Sequence, residues 1–350
     1  MQNSHQRPSG NDCRLQNASF QLAICTLPFV IALLTPLLVP CIQDGNPLVG
    51  SAIVDQRGER AARPVPAEGL AVLYPGDEGL ERDPRVLFVE NFETGSIPRI
   101  GKRWGDIRDP ENMELSADVS ANSRGKRSLH IRGGGSPDGF KSGGHLYTHV
   151  RAVDKIHVRF YVKFPPKSGY LHHSTAIIAD RDPTSWPKGY AGKKPAGDQL
   201  VATDIEPWSY WGKVPSPGAW SFYSYWHEMK PDGRGDYWGN TFDAGRERIQ
   251  PGRWYCVEAM VKMNSPPEAA NGEQVFWVDG KPVGRFQGIR WRTSDKLQFN
   301  SLWLLYYVSE DTAKHNRDSD PKNRVYAIWF DDVVVATEYV GPIKTKKTGK

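Results

Sequence analysis

The residues best suited to chemistry lie between Trp220 and Trp238, in the run W-S-F-Y-S-Y-W-H-E-M-K-P-D-G-R-G-D-Y-W. If its first half is a strand, side chains alternate. Ser221, Tyr223, Tyr225 and His227 then share one face, and Trp220, Phe222, Ser224 and Trp226 share the other. The first face lines up two phenols and an imidazole, groups that take and give protons. The second offers apolar bulk to a core. Pro231-Asp232-Gly233 then marks a turn. This strand is expected to floor a ligand cleft; the plain alternative is an aromatic strand with a half-buried outer face.

Other groups invite the same question. On Lys155–Phe164 the residues Ile156, Val158, Phe160, Val162 and Phe164 alternate with His157, Arg159, Tyr161 and Lys163. The second set is a polar, cationic row that either meets a ligand or is a solvated outer face. His172 and His173, in G-Y-L-H-H-S-T, are further candidate bases. Neighbours on a strand point to opposite faces, so one of them at most is expected to serve. Asp204-Ile205-Glu206 places two acids on one strand face. Trp208, Tyr210, Trp211, Tyr237 and Trp238 cluster near these segments and suit stacking on flat or half-apolar ligands. No His/Cys spacing of the zinc type is present. Gly133-Gly134-Gly135 reads as a turn, since it lacks the lysine and helix of a phosphate loop.

The elements that must hold these residues are strands. Signals recur at 85–93, 128–132, 145–150, 155–164, 171–179, 200–205, 254–263, 297–308 and 325–336, besides the aromatic strand. Gln274–Val278 and Lys281–Phe286 flank Asp279-Gly280, a strong hairpin signal. No stretch keeps a helical period for three turns. Many strands, Gly/Pro turns and no alternation with helices predict an all-β fold, a two-sheet antiparallel sandwich of jelly-roll type. The stretches 181–199 and 231–252 read as long loops bordering the cleft. The opening and closing strands are expected to lie close together.

The chain has 350 residues and a formal net charge of +5. Four of those charges come from the basic tail at 344–350, in Lys344, Lys346, Lys347 and Lys350, so the body is near neutral. No nucleic-acid partner is expected, because that needs a clustered basic face. Residues Leu22 to Ile42 are almost wholly apolar and follow Arg7 and Arg14. Residues 1–42 therefore read as a signal peptide or N-terminal anchor, which places the protein outside the cytoplasm: secreted, periplasmic or on the cell surface. Membrane contact is expected only through that segment, and the body is expected to be a monomer. Residues 43–85 read as a disordered linker, and 86–343 as the one folded domain. Of four cysteines only Cys256 falls in the body, as a packed residue.

The opening V-L-F-V-E-N-F-E-T-G, the run G-R-W-Y-C-V-E-A-M-V-K-M-N with N-G-E-Q-V-F-W-V-D-G-K-P-V-G, and the closing A-I-W-F-D-D-V-V-V-A-T-E-Y-V-G-P resemble the concanavalin A-like lectin/glucanase jelly roll. Within that group the chain is most similar to polysaccharide lyases of the alginate and glucuronan lyase kind from exported bacterial proteins. The resemblance implies a curved sheet whose concave face binds a glycan. It implies β-elimination on an anionic, uronate-containing polysaccharide, with no cofactor required for catalysis. Tyr223, Tyr225, His227, His173 and Arg159 would be the catalytic groups. His157, Tyr161, Lys163, His172, Trp208, Trp211 and Trp238 would bind substrate. Many members of this fold hold a structural Ca2+ where the first and last strands meet, and Glu90 and Asp332 resemble its acids. The arginine-rich strand R-T-E-L-R and the Q-I-H triplet of the best-known alginate lyases are absent. Two other readings compete. Asp204 and Glu206 resemble part of the E-x-D-x-E strand of glucanases, although Ala202 stands where their nucleophile does. The aromatic cluster alone suits a non-catalytic carbohydrate-binding or adhesion domain.

Overall fold

The computed structural model describes residues 68–133, 143–185, 187–318 and 324–345; the N-terminal apolar segment and Lys346 onward lie outside them. The strands are β1 (Val86–Glu90), β2 (Asp106–Arg108), β3 (Met113–Ser116), β4 (Ser128–Arg132), β5 (His145–Val153), β6 (Lys155–Lys163), β7 (His173–Asp180) and β8 (Leu200–Trp208). They continue with β9 (Ala219–Tyr225), β10 (Asn240–Arg248), β11 (Trp254–Lys262), β12 (Gly272–Val278), β13 (Lys281–Ile289), β14 (Phe299–Tyr307) and β15 (Ala327–Ala336). Two short helices interrupt them, α1 (Ile97–Trp104) and α2 (Glu310–Asp318).

The strands form an antiparallel two-sheet sandwich of the jelly-roll kind. One sheet runs β13-β12-β11-β6-β15-β4-β3, with β1 added on β15; the other runs β10-β9-β8-β7-β14-β5-β2. The pairing of β1 with β15 brings the two ends of the domain together, as the sequence suggested.

The alternation seen in the sequence builds the core. Ile156, Val158, Phe160 and Val162 point between the sheets and are fully buried. From the facing sheet Phe222 meets Phe276 and Phe286 at ring distances of 5.3 and 6.3 Å. Burying a phenylalanine in this way contributes about 2–3 kcal/mol. The β12–β13 hairpin turns at Asp279 and Gly280, whose φ angles of 51° and 76° are those of the tight turn that matches strand twist.

Three elements depart from expectation. Asn240–Arg248, inside a stretch read as loop, is an edge strand paired to β9. Phe242 is the one large apolar residue in N-T-F-D-A-G-R-E-R, too little for a period-two signal. The two helices span about two turns each, too short to show a helical period. Finally, the packed body begins before Arg85. Short 3-10 turns at Leu70–Val72, Pro75–Asp77 and Leu80–Arg82 lay Leu70 and Leu80 against Val334, Ala336 and Val340.

That early segment corrects the reading of β6. Its polar row faces outward, but it is covered. Arg159 is fully buried and ion-paired with Asp77. His157 Nδ1 lies 3.0 Å from Glu258 Oε1, and Glu258 also accepts the backbone N–H groups of Val340 and Gly341. The Tyr161 hydroxyl accepts the N–H of Ile343 at 3.0 Å. Lys163 pairs with Asp118 and sits over the rings of Trp254 and Trp329. Arg159, Tyr161 and, through Glu258, His157 therefore fasten the terminal segments to one sheet, and Lys163 fastens the β3–β4 connection, while β9 belongs to the other sheet. They do not join Tyr223 and Tyr225.

Candidate active site

The outer face of the second sheet gathers the reactive side chains. Pairing of β8 with β9 sets Ala202 against Tyr225, Asp204 against Tyr223 and Glu206 against Ser221. Because partners on paired strands share a face, the two tyrosines and two acids form one patch. The phenol oxygens of Tyr223 and Tyr225 lie 3.5 Å apart. The connection between β7 and β8 crosses this face and brings Tyr190 edge-on to Tyr225, with ring centroids 4.6 Å apart. It is tied down by His149, whose ring nitrogens lie 3.0 Å from Ser301 Oγ and 3.1 Å from the Thr184 carbonyl. It also meets the β9–β10 connection through a bridge between Gly192 and Tyr237. Gly239 passes flat against Tyr223: a Cβ there would lie 2.3 Å from the ring.

The histidine pair overturns a simple rule. Thr175 pairs with Leu304, but His173 pairs with Tyr307, so the register slips by one residue within the first residues of β7. Alternation fails at that slip. Both imidazoles turn to the same side, with centroids 3.8 Å apart, and each lies 5.3 Å from the Tyr223 ring. His173 also stacks on Tyr307 at 5.5 Å. Its Nδ1 is 2.6 Å from Glu206 Oε2 and 3.5 Å from Asp204 Oδ2.

Burial sets the protonation of this patch. It pushes the Asp204 carboxyl up to about 7, against the pull of His173, and drives Glu206 well above the carboxylate range. Burial lowers both imidazoles, His172 further because His173 adjoins it, while Asp204 pulls His173 back up. Burial also raises the Tyr225 phenol, reinforced by Tyr223. At neutral pH the patch thus holds neutral imidazoles, a protonated Tyr225 phenol and reluctant acids, a set suited to moving protons.

The other anticipated residues divide. Trp208 continues the Asp204–Glu206 row, as every second residue of β8, and meets Trp211 edge-on at 5.5 Å; Trp211 is partly exposed. Trp238 is half-buried beside Gly192, at the crossing of the two connections. His227 does not join the tyrosines in their row. β9 ends at Tyr225, so the alternation stops, and His227 Nδ1 sits 3.2 Å from the Trp291 carbonyl. Tyr190 and Tyr307 were not anticipated. One lies in a connection and the other at a strand end, where no periodicity marks a residue.

Glu90 and Asp332 do not fit a shared calcium. Glu90 Oε1 accepts the N–H of Phe92, and Oε2 accepts from Arg103 Nε at 2.9 Å and Trp104 Nε1 at 3.1 Å. A guanidinium already supplies the positive charge that a metal would bring.

Comparison with known proteins agrees with this architecture. The family model of polysaccharide lyase 14 matches residues 218–320, from β9 through α2. No curated protein matches the chain. Among solved structures, the alginate lyase Aly36B as a double mutant with alginate tetrasaccharide superposes with a TM-score of 0.50 at 13% identity, covering 74% of this chain and 99% of that one. A second double mutant of the same enzyme, with alginate trisaccharide, gives 0.50 at 13%, over 72% and 98%. At that identity the likeness carries the fold. The chain is thus a jelly-roll β-sandwich similar to polysaccharide lyases, with the lyase-type match lying over the strand that carries Tyr223 and Tyr225.

Proposed function

We propose that this protein is an exported polysaccharide lyase that cleaves a uronate-containing glycan by β-elimination. The observation that carries the reading is the Tyr223–Tyr225 pair, phenol oxygens 3.5 Å apart, set against two imidazoles and two buried acids. It lies within the stretch that matches polysaccharide lyase 14. Aly36B, which shares the fold, binds oligosaccharides of alginate, a polymer of uronates.

The reaction removes the proton beside the uronate carboxylate and expels the glycosidic oxygen. Tyr223, nearest the imidazoles, reacts as its phenolate and takes the carbon-bound proton. The C–O bond to the leaving sugar breaks as the ring double bond forms. Tyr225, whose phenol burial holds protonated, delivers a proton to the leaving oxygen. No water is consumed, and the new non-reducing end is an unsaturated uronate. Trp208 and Trp211, further along the same face, would stack on neighbouring sugar rings.

The test is an ultraviolet assay of the full chain on alginate, glucuronan, pectate and heparin-like polymers. Rising absorbance from unsaturated ends, reduced at least roughly a hundredfold in Tyr225→Phe and in Tyr223→Phe, is the expected result. New reducing ends without ultraviolet absorbance would instead point to hydrolysis by Asp204 and Glu206. Binding without cleavage of any polymer would leave a carbohydrate-binding domain.

A further inference from the structure

The elimination proposed above needs positive charge opposite the substrate carboxylate, because negative charge builds there as the proton leaves. The present inference rests on that reading and supplies what it lacks. Arg159 and Lys163 are spent on the other sheet. Lys188 is drawn to Asp180 at 2.8 Å. Among the described residues, the one basic side chain that pairs with Asp204 and Glu206 is His173.

The register slip at β7 has an odd outcome. It packs two imidazoles side by side, 3.8 Å between ring centroids, and sets His173 Nδ1 2.6 Å from a buried carboxyl. One candidate ligand atom from each of His172, His173 and Glu206 lies within 4.8 Å of the other two. Asp204 Oδ2, also buried, accepts no hydrogen bond and stands 3.5 Å from His173 Nδ1. Two imidazole nitrogens with a carboxylate oxygen are the donor set of first-row divalent metals, and three protein ligands leave a coordination position for substrate.

We propose that His172, His173 and Glu206 bind a first-row divalent metal ion of the Zn2+ or Mn2+ class, with Asp204 behind them. The bound ion is the charge partner of the uronate carboxylate, in place of an arginine. It also lies beside Tyr223, the proposed base, where its charge favours the phenolate.

The test uses the full chain, stripped with EDTA and dialysed, and titrates it with Co2+ and with Zn2+. One equivalent of Co2+ is expected to bind with a visible d–d spectrum that Zn2+ displaces. Affinity is expected to fall at least about tenfold in His172→Ala and in Glu206→Gln, each checked for an unchanged circular dichroism spectrum. His157→Gln, at the other histidine–glutamate contact, is expected to bind normally. The proposal is overturned if the stripped chain binds no metal, or if both site variants bind as well as the parent. It is equally overturned if the stripped chain, held in EDTA, still releases unsaturated uronate at the full rate; the lyase reading would then stand without it. Metal bound at the site with no polymer cleaved would keep the metal site and sink the lyase.

Discussion

Arg159 shows how far a single residue can be read. Its place on β6 and its outward direction follow from the I-H-V-R-F-Y-V-K alternation. What lies over it does not, because the covering residues come from a stretch with no periodicity of its own. Outward in a sheet is not the same as exposed. The consequence is a prediction about stability rather than catalysis. Asp77 holds a guanidinium that is wholly buried, and Asp332 is close enough to feel the same charge. Removing one partner of a buried pair typically costs about 3–5 kcal/mol, since it strands the other charge without water. Asp77→Ala is therefore expected to lower the urea midpoint strongly while the turnover of each folded molecule stays at the parent level. Replacing Arg159 by Met leaves the Asp77 carboxylate, which keeps some access to water, and is expected to cost less. A variant that stays as stable as the parent but loses turnover would return Arg159 to the active site.

At the scale of elements, the candidate site is a product of pairing and of its one irregularity. The sequence of β9 is enough to put Tyr223 and Tyr225 on one face. Their company is set by register, since β8 brings Asp204 opposite Tyr223. The histidines arrive through a slip that no alternation announces. The loops then close over the patch, and here a glycine matters. Gly239 lies against Tyr223, and a Cβ would come within 2.3 to 2.7 Å of three ring atoms. The ring is hemmed in by His172 and His173 at 5.3 Å, so it has to rotate or the connection has to lift. Gly239→Ala is thus expected to reproduce most of the loss seen in Tyr223→Phe with every reactive group still present. The comparison is made in kcat on the polymer that the parent cleaves, alongside a melting curve. Parent-level kcat in Gly239→Ala would mean that the position of Tyr223 does not govern turnover.

For the molecule as a whole, both ends of the domain close on one sheet, and the second sheet keeps its outer face for chemistry. The first sheet is held by ion pairs such as Arg159–Asp77 and Lys163–Asp118. On the second sheet His145, in β5, is buried and its imidazole is pushed down to about 4; burial is the main cause, opposed by Asp109, 3.9 Å away, and assisted by Arg108. In the unfolded chain the same group titrates near 6.5. At pH 7 it is neutral in both states and contributes nothing. As pH falls below 6.5 the unfolded chain takes up a proton that the folded one refuses, so stability is lost progressively until about pH 4. At 1.36 kcal/mol per unit the full loss is about 3 kcal/mol. Buried carboxyls such as Asp331, raised by burial and by Asp332 beside it, act in the opposite sense over the same range. The net curve alone is therefore uninformative, and the difference between two chains is the useful quantity. His145→Gln keeps much of the volume and removes the titration. The stability of the parent relative to this variant, from urea unfolding at a series of pH values, is expected to decline by about 3 kcal/mol between pH 7 and pH 4. Parallel curves would show that His145 takes its proton in the folded state as readily as in the unfolded one. The strand-bound imidazole would then be open to water, and the β2–β5 edge would not be closed over it as the structure has it.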